Sequence, residues 1–357
     1  MNLNNTQAFS QIDTQNMLSH IDGLPDQIQQ AWELGTSLPL PKWVGIKQVL
    51  IAGLGGSAIG GDLLASYLSP FCIVPIWVHR DYGLPNWAQG EDTLVMVSSH
   101  SGDTEETLDA MSHALKNRCR VVAITTGGEL SQRASSAGVP LWQFKHIGQP
   151  RSAVGYSFFL LLAALYRLGF APHPGAELED TITSMKTQQE YLAANVPAVH
   201  NPAKRYGGQL VGRWVTVIGA EILAPVARRW KGQVSEVGKA WAQFEFLPEA
   251  DHNTLAGTLQ PEDLLARSMA LFLRAPSDHP RNALRLELTR QTFMLEGLNT
   301  DFIEARGDTP LAHLWTLLHF GDYMAYYLAM AYEVDPTPVQ ALENLKEQLK
   351  SAKISPA

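Results

Sequence analysis

Two short loops carry most of the chemistry that residue types alone suggest. The first, Gly53-Leu-Gly55-Gly56-Ser57-Ala58, joins an apolar run at 49–52 to a helical stretch. The second, Ser99-His100-Ser101-Gly102-Asp103-Thr104, follows a second apolar run at 93–97. A single Ser or Thr before a helix is an ordinary cap. Three hydroxyls gathered round Gly102 exceed what a cap needs. Together with backbone N–H groups at a helix start, they suit a dianionic phosphate that accepts several hydrogen bonds. Taken alone, the first loop has other readings. Its glycines could serve only a tight turn, or Gly53-x-Gly55-x-x-Ala58 with Asp81 downstream could hold a dinucleotide. A dinucleotide site has no use for the Ser/Thr loop, so the two together favour a phosphate cradle of Gly55, Gly56, Ser57, Ser99, Ser101 and Thr104. No GxxxxGK[ST] occurs, so a small phosphorylated metabolite is expected and not a P-loop nucleotide. Asp103, Glu105 and Glu106 read as helix-start acids favoured by the dipole.

The elements that position these loops alternate regularly. Apolar runs at 49–52, 74–78, 93–97 and 120–124 read as strands, each followed by a polar or glycine-rich loop and most by a helix. Residues 1–40 read as a helical segment and 178–192 as a helix. The stretch 195–208, with two prolines and a Gly-Gly pair, reads as a linker. Strand-like runs at 214–218, 271–273 and 301–303 then build a second, smaller sheet. The expected fold class is α/β: two doubly wound parallel-sheet domains at 41–194 and 209–357. The apolar stretch 311–332 contains Asp322 and several tyrosines, which favours a buried helix over a membrane span.

Bulk properties narrow the partners. A chain of 357 residues suits two domains of ordinary size. Its 45% hydrophobic and 17% charged residues are those of a globular protein. A net charge of −8 argues against a nucleic-acid partner. The start, MNLNNTQAFSQ, has neither the basic nor the apolar part of a signal peptide, so a cytoplasmic location is expected, with no membrane partner. Cys72 and Cys119 show no metal or disulfide spacing and read as buried thiols. No metal and no cofactor is expected.

The pieces Gly55-Gly-Ser-Ala and Ser99-His-Ser-Gly-Asp-Thr-Glu-Glu resemble the sugar isomerase (SIS) domain, a flavodoxin-like sheet with helices on both faces that binds phosphosugars. More narrowly, the chain resembles the bifunctional phosphoglucose/phosphomannose isomerases. That resemblance extends through Arg80-Asp-Tyr-Gly-Leu-Pro, Pro150-Arg-Ser-Ala-Val-Gly-Tyr, Arg229-Trp-Lys-Gly-Gln-Val-Ser-Glu236, Pro248-Glu-Ala-Asp-His252-Asn and Asp335-Pro-Thr-Pro. It implies that Arg151 steadies an enediolate, Glu236 is the catalytic base and His252 opens the sugar ring from the neighbouring subunit of a homodimer. It also implies that Lys346 is the C-terminal lysine of the site and that Thr337 is linked to mannose use. The implied ligand is a hexose 6-phosphate.

Aldose–ketose isomerisation needs these residue types. Ring opening wants a group that titrates near neutrality, which histidine supplies. Moving a proton between adjacent carbons wants one base facing both, and the charge developing on oxygen wants a fixed cation. By spacing alone, Glu236 could instead be a solvated helix residue paired to Lys231 or Lys239. The sequence departs from the family pattern at His100, Asp103, Ser235 and Thr254. A non-catalytic phosphosugar-binding SIS regulator remains the alternative, set against by the joint presence of Glu236, His252 and Arg151.

Overall fold

The computed structural model describes residues 2–352. Five parallel strands form the first sheet: β1 (Gln48–Ala52), β2 (Ile76–His79), β3 (Thr93–Ser99), β4 (Arg120–Thr125) and β5 (Leu141–Gln143). Their order is β2-β1-β3-β4-β5, the flavodoxin-like arrangement. Side chains alternate across β1. Val49 and Ile51 face one core with the Gly55–Leu68 and Val154–Arg167 helices, while Leu50 and Ala52 face another with Glu105–Lys116 and Gly128–Ser136. Burial on both faces explains why β1, β3 and β4 are unbroken apolar runs.

The second sheet holds β6 (Trp214–Ala220), β7 (Ala242–Leu247), β8 (Ser268–Arg274) and β9 (Asn299–Glu304), in the order β7-β6-β8-β9 and again all parallel. The Ala224–Glu236 and Pro310–Tyr332 helices share one face of it. The Pro280–Leu295 helix covers the other with Leu286 and Phe293. Every residue from 311 to 330 is buried, as the sequence leads one to expect. No helix among the described residues is long and apolar enough to cross a membrane.

Three features differ from the sequence reading. The run at 74–78 becomes β2 only from Ile76, because Pro75 cannot donate to the ladder; its carbonyl instead accepts Val49 N–H at the entry to β1. The stretch 195–208 is no bare tether. Asn201 caps a Pro202–Gln209 helix, and Lys204 is buried with Nζ donating to the Ala194 and Val196 carbonyls at 2.6 and 2.8 Å. Both cysteines are partly exposed and unpaired, each with its thiol on a backbone carbonyl.

The N-terminal segment forms three helices, Thr6–Ile12, Met17–Asp22 and Leu24–Ser37. Gln27 of the third reaches the turn Pro150–Ser152: its amide donates to Ser152 O at 2.9 Å and accepts from Gly155 N at 2.8 Å. That brace fixes the backbone at Arg151. At the other end, the Gln340–Ser351 helix exposes residues 341–349 on every face.

Candidate active site

Because β1 lies between β2 and β3, the loops leaving β1 and β3 diverge to opposite faces of the sheet and open a crevice at its carboxyl edge. Both sequence loops sit there. Ser57 and Ser99 are buried, while Ser101 is exposed and Thr104 half-buried. Ser99 Oγ lies 2.9 Å from Thr104 Oγ1 and accepts Gly102 N–H at 3.1 Å, so one hydroxyl organises the turn. Gly102 has φ +77°, and a Cβ there would overlap the Gly127 carbonyl oxygen at 1.9 Å. Only glycine fits. Ser101 Oγ accepts from Asp103 N. The Asp103 carboxylate turns to the next helix, accepting Glu129 N–H at 2.9 Å beside the start of Gly128–Ser136. The Asp103 charge is thereby engaged outside the hydroxyl loop.

The cradle touches the second group of candidates directly. A Cβ on Gly56 would lie 2.6 Å from the Pro150 carbonyl oxygen, so the Gly55–Ser57 loop packs on the turn that carries Arg151. Arg151 is buried, and its Nη2 donates to the carbonyls of Pro336, at 2.9 Å, and Thr337. Its Nη1 lies 3.7 Å from Glu236 Oε2. Burial and the nearby Arg229 lower the Arg151 pKa, opposed by Glu236 and Asp335. Arg151, Glu236 and Thr337 thus converge from three segments far apart in sequence. Arg151 Nε and Thr337 Oγ1 are buried with no hydrogen-bond partner.

Glu236 is the last residue of its helix, and Lys239, three residues on at φ +54°, folds back so that its ammonium caps the Glu236 carbonyl. Lys239 Nζ also reaches Pro336 O at 3.3 Å. The carboxylate of Glu236 faces Arg151, whereas the spacing suggested Lys231 or Lys239 as its partner. Burial and the Arg151 charge push the Lys239 amine down to about 8, partly offset by Asp335 and Glu236. Beneath, Arg229 Nη2 donates to Arg151 O at 3.0 Å and pairs with Asp322 Oδ2 at 2.7 Å, and Gln233 donates to Asp322 Oδ1 at 2.9 Å. Sequence reasoning missed this buried brace and the role of Lys239. Arg229 and Gln233 precede Glu236 by a helical face, but their partner lies about ninety residues away.

Two candidates stand apart. His252 ends the turn Glu249–His252 after β7 and is exposed. Lys346 is exposed on the Gln340–Ser351 helix. Among the described residues, no hydrogen bond or ion pair joins either to Arg151 or Glu236. Nor does any group of three or more His, Cys, Asp or Glu have the disposition of metal ligands.

A protein of Caldicellulosiruptor bescii described as a bifunctional phosphoglucose/phosphomannose isomerase is 37% identical over 341 residues, covering 94% of this chain and all of that one. The chain belongs to that family. A bifunctional phosphoglucose/phosphomannose isomerase of Thermoplasma acidophilum is 34% identical over 84% of this chain and 89% of its own. The model of the bacterial phospho-glucose isomerase C-terminal SIS domain matches residues 199–349. The crystal structure of a putative phosphosugar isomerase from Clostridium difficile superposes with TM-score 0.72 over 95% of this chain and 99% of that one, at 13% identity, a likeness of fold. Membership of the phosphoglucose/phosphomannose isomerase family places the chain among isomerases. Solved neighbours of this fold, β1 to β9, also span nearly the whole chain.

Proposed function

We propose that the chain interconverts glucose 6-phosphate and fructose 6-phosphate, with mannose 6-phosphate as a second aldose, by proton transfer through a cis-enediol. The observation that carries this reading is the Arg151–Glu236 pair, 3.7 Å apart, with the turn that bears Arg151 packed on Gly56 of the glycine loop. The cradle residues hold the phosphate and so fix the sugar chain. Glu236 takes the proton from C2 of the open-chain aldose and returns it to C1, while the hydroxyl proton passes from O2 to O1, leaving the ketose. As the proton leaves, charge grows on the carbonyl oxygen. Arg151, held cationic by its basicity and immobilised by two carbonyls, meets that charge without reorganising. Ring opening falls to His252 of a second copy, which accounts for its exposure here, and Thr337 beside Arg151 bears on the epimer accepted. Lys346 is carried as a substrate contact from the terminal helix.

The test is turnover of the three hexose 6-phosphates by the purified protein in EDTA. Wild type is expected to convert them, and Glu236→Gln to lose about two to four orders of magnitude in kcat while still binding the sugar phosphate. Binding without turnover by the intact wild-type protein would instead identify a phosphosugar-sensing regulator.

A further inference from the structure

His100 of the hydroxyl loop belongs to a cluster of three imidazoles that the isomerase chemistry does not use. His100 stands between Ser99 and Ser101, and its Nε2 is 2.9 Å from His146 Nδ1. The two rings meet edge-on with centroids 5.1 Å apart, and His20 lies against the far side of His146 at 5.4 Å. His146 precedes the turn carrying Arg151 by a few residues, so the pair links the two halves of the site. The His100 carbonyl is held by the Thr126 backbone and hydroxyl at 3.1 and 2.7 Å, which anchors the backbone from which the ring projects. A stacked Phe144–Tyr156 pair, 4.6 Å between centroids, walls the rings on the side of the Val154–Arg167 helix.

Two neutral imidazoles joined by one hydrogen bond share a single proton between the facing nitrogens. His146 Nε2 is buried without a partner. We propose that His100 and His146 are positioning residues for the anion cradle and that the pair takes up one proton when a dianion occupies it. The inference rests on the cradle reading of the Ser99–Thr104 loop.

Electrostatics gives the direction. Burial lowers all three imidazoles, and in His146, held down to about 4, repulsion from His100 and His20 adds to it. The charged group acting on the stack is Asp13, which raises His20; the Tyr156 phenol donates to Gln30 Oε1 and is uncharged near neutrality. The pair is therefore neutral at pH 7 in the free protein. A dianion held by Ser99 and Ser101, the chain neighbours of His100, adds two negative charges to the surroundings of the pair and favours its protonated form. Binding and proton uptake are then linked. Dianion affinity rises as pH falls, by up to about tenfold per unit where one proton is fully coupled.

Inorganic sulfate is the probe, because it stays a dianion across pH 6–8 and cannot itself carry the linkage. Calorimetric titration of the full chain in buffers of different ionisation heat reads the protons taken up per sulfate. Wild type is expected to approach one proton near pH 6 and fewer at pH 8, with affinity falling as pH rises. His146→Gln and His100→Gln each keep a polar side chain and are expected to bind sulfate with that uptake lost; either variant suffices if the other does not fold. Ser101→Asp locates the site by placing a fixed anion in the loop and abolishing binding. Sulfate bound with no proton uptake, or with uptake unchanged in either folded glutamine variant, overturns this inference and leaves the cradle intact. Failure of sulfate to bind, or binding that survives Ser101→Asp, overturns the cradle and this inference together.

Discussion

Glu236 occupies a position that helix electrostatics disfavours. A carboxylate at the last helical residue adds to the partial negative charge of the unpaired carbonyls. The sequence nevertheless places it there, and Arg151 and the Lys239 cap supply the compensating charge. Such a local conflict with a global answer is characteristic of functional sites. Lys239 makes the compensation measurable. Its amine is half uncharged near pH 8, whereas an ordinary lysine is almost wholly protonated there. Mild acylation at pH 8 is therefore expected to label Lys239 several-fold faster than Lys346, read by peptide mass spectrometry. Since the Arg151 charge is one cause of the lowering, Arg151→Gln should slow that labelling. Equal rates at the two lysines in wild type would contradict the assignment.

Helices set the distances between these groups. The Ala224–Glu236 and Pro310–Tyr332 helices approach so closely at Gly321 that a Cβ there would lie 2.2 Å from Trp230 Nε1. The same indole donates to Leu317 O at 2.9 Å. Gly321→Ala must push the helices apart, and with them Asp322 from Arg229. Overpacking of this kind costs on the order of 1–3 kcal/mol. The variant is expected to lower the denaturation midpoint by several degrees and to reduce kcat more than a surface Gly→Ala such as Gly257→Ala. Unchanged stability would show that the contact yields without strain. Much at this scale was legible beforehand. β1, β3, β4 and β6 are apolar because both faces are covered, and the buried helix at 311–330 announced itself by composition. β5 is three residues long, and β7 is an edge strand with polar residues between its aromatics, so neither has a run to read. The two loops proposed as the cradle could be picked out because each is a short local motif that follows an apolar run. The Arg229–Asp322 brace and the His100–His146 pair could not, because only the fold brings residues 93 and 46 apart in sequence into contact.

At the scale of the molecule, one chain holds the glycine loop, Arg151, Glu236 and Thr337 together, while His252 and Lys346 are bonded to neither Arg151 nor Glu236 among the described residues. The dimer reading makes a definite demand on mixtures. Glu236→Gln and His252→Ala proteins should each be inactive alone. If His252 acts across an interface, subunit exchange between them restores one intact site in each mixed dimer, about a quarter of wild-type activity at equal mixing. A mixture as inactive as its components would place both groups in the same subunit, and a His252→Ala protein active by itself would remove His252 from the chemistry.

One apolar core runs without interruption from β1 through the Val154–Arg167 and Pro310–Tyr332 helices to β6 and β8. The twenty residues from 311 to 330 are therefore shielded by residues encoded in both halves of the gene. A crossover near codon 200 that joined this N-terminal half to a distant relative's C-terminal half would keep every strand and still mismatch the surfaces at its centre. Chimeras of this enzyme need compensating changes along that seam before any question of substrate arises.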